Sequence, residues 1–108
     1  MFILKFWGKQ LFGAGRSGQW PRVRKEYLKE HPECEATGSR EKLEVHHVVP
    51  YSVDPSLELE FSNLITLTRK NGIHLIVGHL GSFQSYNDKV REDAKTLLEK
   101  ILHRPCII

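Results

Sequence analysis

Four of the six histidines fall between His46 and His79, and together with Asn63 they are the side chains of this sequence best suited to chemistry. His46 and His47 sit in the apolar run Leu43-Glu44-Val45-His46-His47-Val48-Val49-Pro50. Asn63 precedes a second run, Leu64-Ile65-Thr66-Leu67, and a third, Ile73-His74-Leu75-Ile76-Val77-Gly78-His79, carries the other two imidazoles. An imidazole with its reference pKa of about 6.5 can hold a divalent ion when neutral, or accept a proton from an attacking water. Phosphodiester hydrolysis asks for both. A base must deprotonate the water, and a Lewis acid must stabilise the charge on the phosphorane and the leaving oxygen. Neighbouring side chains on a strand point to opposite faces, so His46 and His47 do not chelate one ion together. A metal on one and a water on the other is the natural division, and residue types alone do not say which takes which.

The surrounding pattern supplies elements to position these groups. Trp20, Val23, Tyr27 and Leu28 recur at helical spacing, Pro21 suits a first turn, and His31-Pro32 is a stop. Arg22, Arg24, Lys25 and Lys29 project away from that stripe. Leu43 to Val49 and Leu64 to Thr68 read as strands, joined by a loop through Pro50-Ser56 and a lead-in at Leu57-Leu59. Asn71-Gly72 marks a turn. Ile73, Ile76, Val77 and Leu80 then predict a short amphipathic helix with His74 near its start. His79 lies five positions on, about 140° around an ideal helix, and reaches the same ion as His74 only if the chain turns inward at Gly78. A last helix is expected from about Asp88 to Leu102, with Val90, Ala94, Leu97, Leu98, Ile101 and Leu102 as its buried stripe, Asn87 as N-cap and Pro105 as terminator.

A chain of 108 residues can bury one core without cross-links, and no apolar run approaches the roughly 18 residues of a membrane span. The opening Met1-Phe2-Ile3-Leu4-Lys5-Phe6-Trp7 is too short for a signal-peptide core, so an intracellular, cytoplasmic protein is expected. Cys34 and Cys106 make no disulfide framework. The net charge of +3 conceals an asymmetry: residues 1–29 carry seven Lys/Arg against the single acid Glu26, whereas the remainder carries nine against twelve. Basic residues interleaved with Trp7, Trp20 and Tyr27 point to nucleic acid as partner, with Arg16, Arg22, Arg24 and Lys25 as phosphate contacts.

His46-His47, Asn63 and His74, over residues 20 to 87, resemble the HNH endonucleases, the ββα-metal nucleases. The Gly78-His79-Leu80-Gly81 and Ser85-Tyr86-Asn87 segments are similar to small stand-alone phage-type members. The resemblance implies an α+β fold: a ββα-metal core of hairpin and short helix at about residues 43–82, flanked by N- and C-terminal helices. It divides the chain into an N-terminal basic segment (1–19) and one nuclease domain (20–108). It implies a DNA endonuclease in which His47 is the general base and His46 and His74 take one divalent ion (Mg, Mn, Ni or Zn); His79 is an additional ligand if the chain turns inward, and otherwise a phosphate contact or a structural hydrogen-bonding group. Asn63 completes the catalytic set by pinning the loop between the strands. Glu58 or Glu60 would support a metal-bound histidine.

Many members of that family hold a structural zinc on four cysteines. Here only Cys34 remains, with Thr37, Thr68 and Ile73 at the other positions, so no structural zinc is expected and apolar packing should hold the knuckle. DNA is the expected partner, with a homodimer or phage packaging proteins as further candidates and the host cytoplasm as the location if the protein is phage-encoded. A non-cleaving DNA-binding module on the same scaffold is the alternative. His31 and His103 are assigned no role.

Overall fold

The computed structural model describes residues 17–103. The order of its main elements is helix α1 (Trp20–Glu30), strand β1 (Leu43–His47), strand β2 (Leu64–Thr68), a π-helical turn (His74–Gly78) and helix α2 (Val90–Leu102). It is an α+β fold built on one antiparallel hairpin, with Leu43 opposite Thr68, Val45 opposite Thr66 and His47 opposite Leu64.

A two-stranded hairpin is marginal alone in water, and here each face is covered by a helix. On one face Leu64 packs with Val23 and Tyr27 of α1, flanked by Trp20, Val45 and Leu59. On the other, Ile65 and Leu67 pack with Val77, with Val90 and Ala94 of α2, and with Cys34 and Ala36. Both helices are also tied to the start of β2. The Tyr27 hydroxyl donates to the Leu64 carbonyl at 2.8 Å, and Arg91 Nη2 donates to the same oxygen at 3.0 Å and to the Ser62 carbonyl. Burial, with Glu35 nearby, pushes the Tyr27 phenol up to about 12, so it stays a donor.

Helix α1 starts and stops where its sequence signals lie: Pro21 is in its first turn, and His31, before Pro32, leaves helical space at φ −130° and ψ 69°. Strand β1 ends at His47, two residues short of the expected Val49. Asn63 takes over there: its main-chain carbonyl accepts from Val48 N at 2.8 Å, and its amide pairs with Val49. The connection contains two 3-10 turns, Pro55–Leu57 and Phe61–Asn63, the first capped by Asp54.

Three expectations need correction. The third core element is a π turn, and of its predicted stripe Val77 is buried and Ile73 partly so, whereas Ile76 and Leu80 are exposed. Asn87 is not the N-cap of α2, a place taken by Lys89. It is buried between the π turn and α2: its main-chain N donates to Gly78 O at 2.9 Å, and its side chain donates to Val77 O at 3.0 Å and Asp93 Oδ2 at 2.7 Å. In α2 the buried stripe fades, Leu97 and Leu98 being half-buried and Ile101 and Leu102 exposed.

Around the knuckle, Cys34 is buried in the apolar cluster that Ile73 also touches. The Thr68 hydroxyl donates to Glu41 O at 2.6 Å and accepts from Lys70 N at 3.0 Å, and Thr37 Oγ1 accepts from Ser39 N at 3.3 Å. Apolar packing and hydroxyl-to-main-chain bonds therefore fill these positions. Arg16, Cys106, Pro105 and most of the basic segment 1–19 lie outside the described residues. Among the described residues no helix is long and apolar enough to cross a membrane.

Candidate metal centre and catalytic histidine

Strand alternation sorts the two histidines of β1. Glu44 and His46 share the face of Leu67 and Ile65, while His47 shares that of Val45 and Leu64. The first face meets the π turn, and His46, His74 and His79 each bring one ring nitrogen to within 4.8 Å of the others. The nearest pair is His46 Nδ1 and His74 Nε2 at 3.1 Å. His79 joins because the turn is wide. An α-helix would rotate it 140° away, but a turn closed over five residues brings positions five apart back to one side.

The outer contacts decide which nitrogens carry protons. His74 Nδ1 lies 2.7 Å from Glu44 Oε1 and His79 Nδ1 lies 2.8 Å from the Ser85 carbonyl. Both oxygens only accept, so both Nδ1 atoms donate, and in the neutral rings Nε2 keeps its lone pair. His46 is 3 % exposed, and its Nε2 is buried without a hydrogen-bond partner among the described residues. Burial, followed by the neighbouring His74, His79 and His47, pushes its pKa down to about 3, so the ring is neutral at physiological pH. Gly78 lets the rings meet: a Cβ there would lie 3.0 Å from His46 Cε1, 3.1 Å from its Nδ1 and 3.2 Å from His74 Cδ2.

On the other face, His47 Nε2 donates to the Glu58 carbonyl at 2.9 Å. The same logic makes Nδ1 its basic nitrogen in the neutral ring. Its ring lies against Trp20, with centroids 4.4 Å apart. The loop holding it is fixed by buried Asn63, whose Oδ1 accepts from Val49 N at 2.8 Å and whose Nδ2 donates to Val49 O at 3.0 Å and Leu57 O at 3.2 Å. One amide thereby clamps the chain just after His47 to the chain just before Glu58.

Residues 32–70 match the family model of the HNH endonuclease, a span holding His46, His47 and Asn63. Over this segment the chain is similar to the HNH endonucleases. No curated protein and no solved structure matches the chain. The matched span stops before the π turn, so it is the geometry that brings His74 and His79 to His46 of the matched segment.

The donor set of His46, His74 and His79 fits a divalent ion. Around a metal with bonds of about 2.05 Å to imidazole nitrogen, tetrahedral ligands lie roughly 3.3 Å apart, close to the 3.1 Å between His46 and His74. The orphaned Nε2 sharpens the point. If His46 Nδ1 carries the proton, a buried lone pair goes unused at Nε2; if Nε2 carries it, two lone pairs face each other, which a cation between them would relieve. Three imidazoles suit Mn, Ni or Zn better than Mg by intrinsic affinity.

Glu44 and Gly78 are the residues that sequence reasoning missed. Glu44 was legible from spacing, two positions before His46 and hence on its face, whereas nothing in the sequence tells that Gly78 faces the rings. The support expected from Glu58 or Glu60 is supplied by Glu44. The buried Glu58 instead takes the main-chain N of Ser17 with both carboxylate oxygens, at 3.1 and 3.2 Å, and meets His47 through its carbonyl; Glu60 is exposed. Arg22, Arg24 and Lys25 are exposed on α1, with Arg22 engaged by Glu26 at 3.1 Å and Gln19 at 3.0 Å.

Proposed function

We propose that the protein is a metal-dependent endonuclease that hydrolyses DNA phosphodiester bonds. His47 is the general base, Asn63 positions its loop, and His46, His74 and His79 hold one divalent ion. The observation carrying this reading is the convergence of three imidazole nitrogens, two of them fixed as lone-pair donors by Glu44 and the Ser85 carbonyl. An ion held there supplies Lewis-acid stabilisation of the charge that builds on the phosphate and the leaving oxygen.

The chain's own share is proton transfer and positioning. The Glu58 carbonyl keeps the His47 proton on Nε2, so Nδ1 takes the proton of the attacking water. The water oxygen bonds to phosphorus as the bond from phosphorus to the leaving oxygen breaks. The imidazolium so formed keeps its bond to the Glu58 carbonyl. Arg16, Arg22, Arg24 and Lys25 serve as phosphate contacts, whose hold weakens as salt rises.

Supercoiled plasmid incubated with the protein and Mg, Mn, Ni or Zn tests the reading. Wild type should nick it with at least one ion, and His47→Ala should lose on the order of a hundredfold or more in rate while still binding metal and DNA. Cleavage by His47→Ala at the wild-type rate refutes the mechanism. DNA binding without nicking under any ion favours a binding module on the same scaffold.

A further inference from the structure

The loop that follows the π turn exposes apolar side chains beside the imidazoles. Phe83 is 68 % exposed, yet its ring centroid lies 4.9 Å from that of His79 and 6.0 Å from that of His74. Leu80 is 62 % exposed and Ile76 57 %. Leu80 also holds a left-handed backbone at φ +55°, a conformation that disfavours a bulky side chain and that no burial offsets. The loop is nevertheless held in place: His79 Nδ1 donates to Ser85 O, Ser82 N to His79 O at 3.1 Å, and Ser85 N to Ser82 O at 2.9 Å. Phe83 is thus presented on a braced tip. No acidic residue occurs from Ile73 to Asn87, and the one carboxylate at the cluster, Glu44, is engaged by His74 Nδ1.

We propose that Phe83 stacks on a nucleobase of the strand whose phosphate lies at the histidine cluster, so that the preferred substrate has an unpaired or easily unstacked base there. This rests on reading the cluster as the place where a phosphate is held. The nucleotide attached to that phosphate meets the ring leaning on His74 and His79. A protein seated on Phe83 would instead cover those imidazoles and shut the substrate out. An aromatic platform beside a basic site is a sequence-tolerant way to hold single-stranded nucleic acid.

The test uses the full chain carrying His47→Ala, which prevents cleavage, with Phe83 retained, Phe83→Ala or Phe83→Trp. The probe is a single-stranded oligonucleotide with dispersed 2-aminopurines, alongside the same sequence as a duplex, and metal affinity is measured in parallel by calorimetry. The expected result is that Phe83→Ala weakens single-strand binding roughly tenfold or more, reduces the quenching of 2-aminopurine and erases the preference for single strand over duplex, while metal affinity is unchanged. Phe83→Trp should restore both binding and quenching. Equal binding and quenching with Phe83 and Phe83→Ala overturns the proposal, as does a parallel fall in metal affinity, which would make the ring a structural prop. If quenching depends on Phe83 but the wild-type protein nicks nothing, the base contact stands and the nuclease reading falls. Absence of any nucleic-acid binding overturns both.

Discussion

Replacing Gly78 by alanine sets two opposing effects against each other. The π turn would gain up to about 1 kcal/mol, because glycine loses more backbone entropy on folding than alanine. Against that, the new methyl carbon lies 3.0 Å and 3.1 Å from two atoms of the His46 ring and 3.2 Å from the His74 ring, where ordinary contact begins near 3.4 Å. Neither ring is free to retreat: His46 is 3 % exposed, and His74 is held through Nδ1 by Glu44. Overpacking of this kind costs about 1–3 kcal/mol. Folding stability should therefore fall by about 0–3 kcal/mol, while the spacing of the two nitrogens changes by a few tenths of an ångström. Metal affinity should drop by on the order of tenfold or more, since a ligand set tolerates such displacement poorly. Isothermal titration with Ni or Zn, paired with urea unfolding of the metal-free protein, separates the two quantities. A Gly78→Ala protein that binds metal as tightly as wild type would show that the rings do not need the glycine.

Removing the acceptor of His74 by Glu44→Ala should cost about 10–100-fold in metal affinity, as for other partners of metal-bound imidazoles, with Glu44→Gln recovering part of it; calorimetry reads both. Asn63→Ala leaves Val49 N, Val49 O and Leu57 O without their partner, and should lower unfolding free energy by about 3 kcal/mol in urea titrations while slowing cleavage. In the metal-free protein the depressed His46 pKa means that the unfolded chain binds a proton the folded chain does not. This contribution to stability is fully present above pH 6.5 and is lost as pH falls toward 3, reaching about 2 kcal/mol by pH 5. Urea unfolding at pH 7 and pH 5 should show that difference in wild type and lose it in His46→Ala.

Much of the scaffold is legible in the residues. Helix α1 follows from the Trp20, Val23, Tyr27 spacing and its Pro21 and Pro32 boundaries, and both strands follow from short β-branched runs. Alternation along β1 alone separates His46 from His47. What is not legible depends on departures from a regular period. The 3.6-residue wheel sets His79 off the face of His74 and buries Leu80, and both inferences fail because the turn is π-helical and Leu80 adopts a left-handed backbone. Asn87 reads as a cap because asparagine is a good one, but its buried side chain donates to Val77 O and its main-chain N to Gly78 O, holding the π turn. Gly78 looks like a helix stop, and only the two rings lying 3.0–3.2 Å from where its Cβ would be show that an added side chain would crowd them.

X-ray absorption on the protein loaded with one equivalent of Ni or Zn counts the imidazoles around the ion. Three nitrogen ligands of imidazole type are expected, with no sulfur, and the count should drop to two in each of His46→Ala, His74→Ala and His79→Ala. A sulfur ligand from Cys34, or a spectrum indifferent to these substitutions, would place the ion elsewhere and remove the basis for a catalytic centre at the π turn.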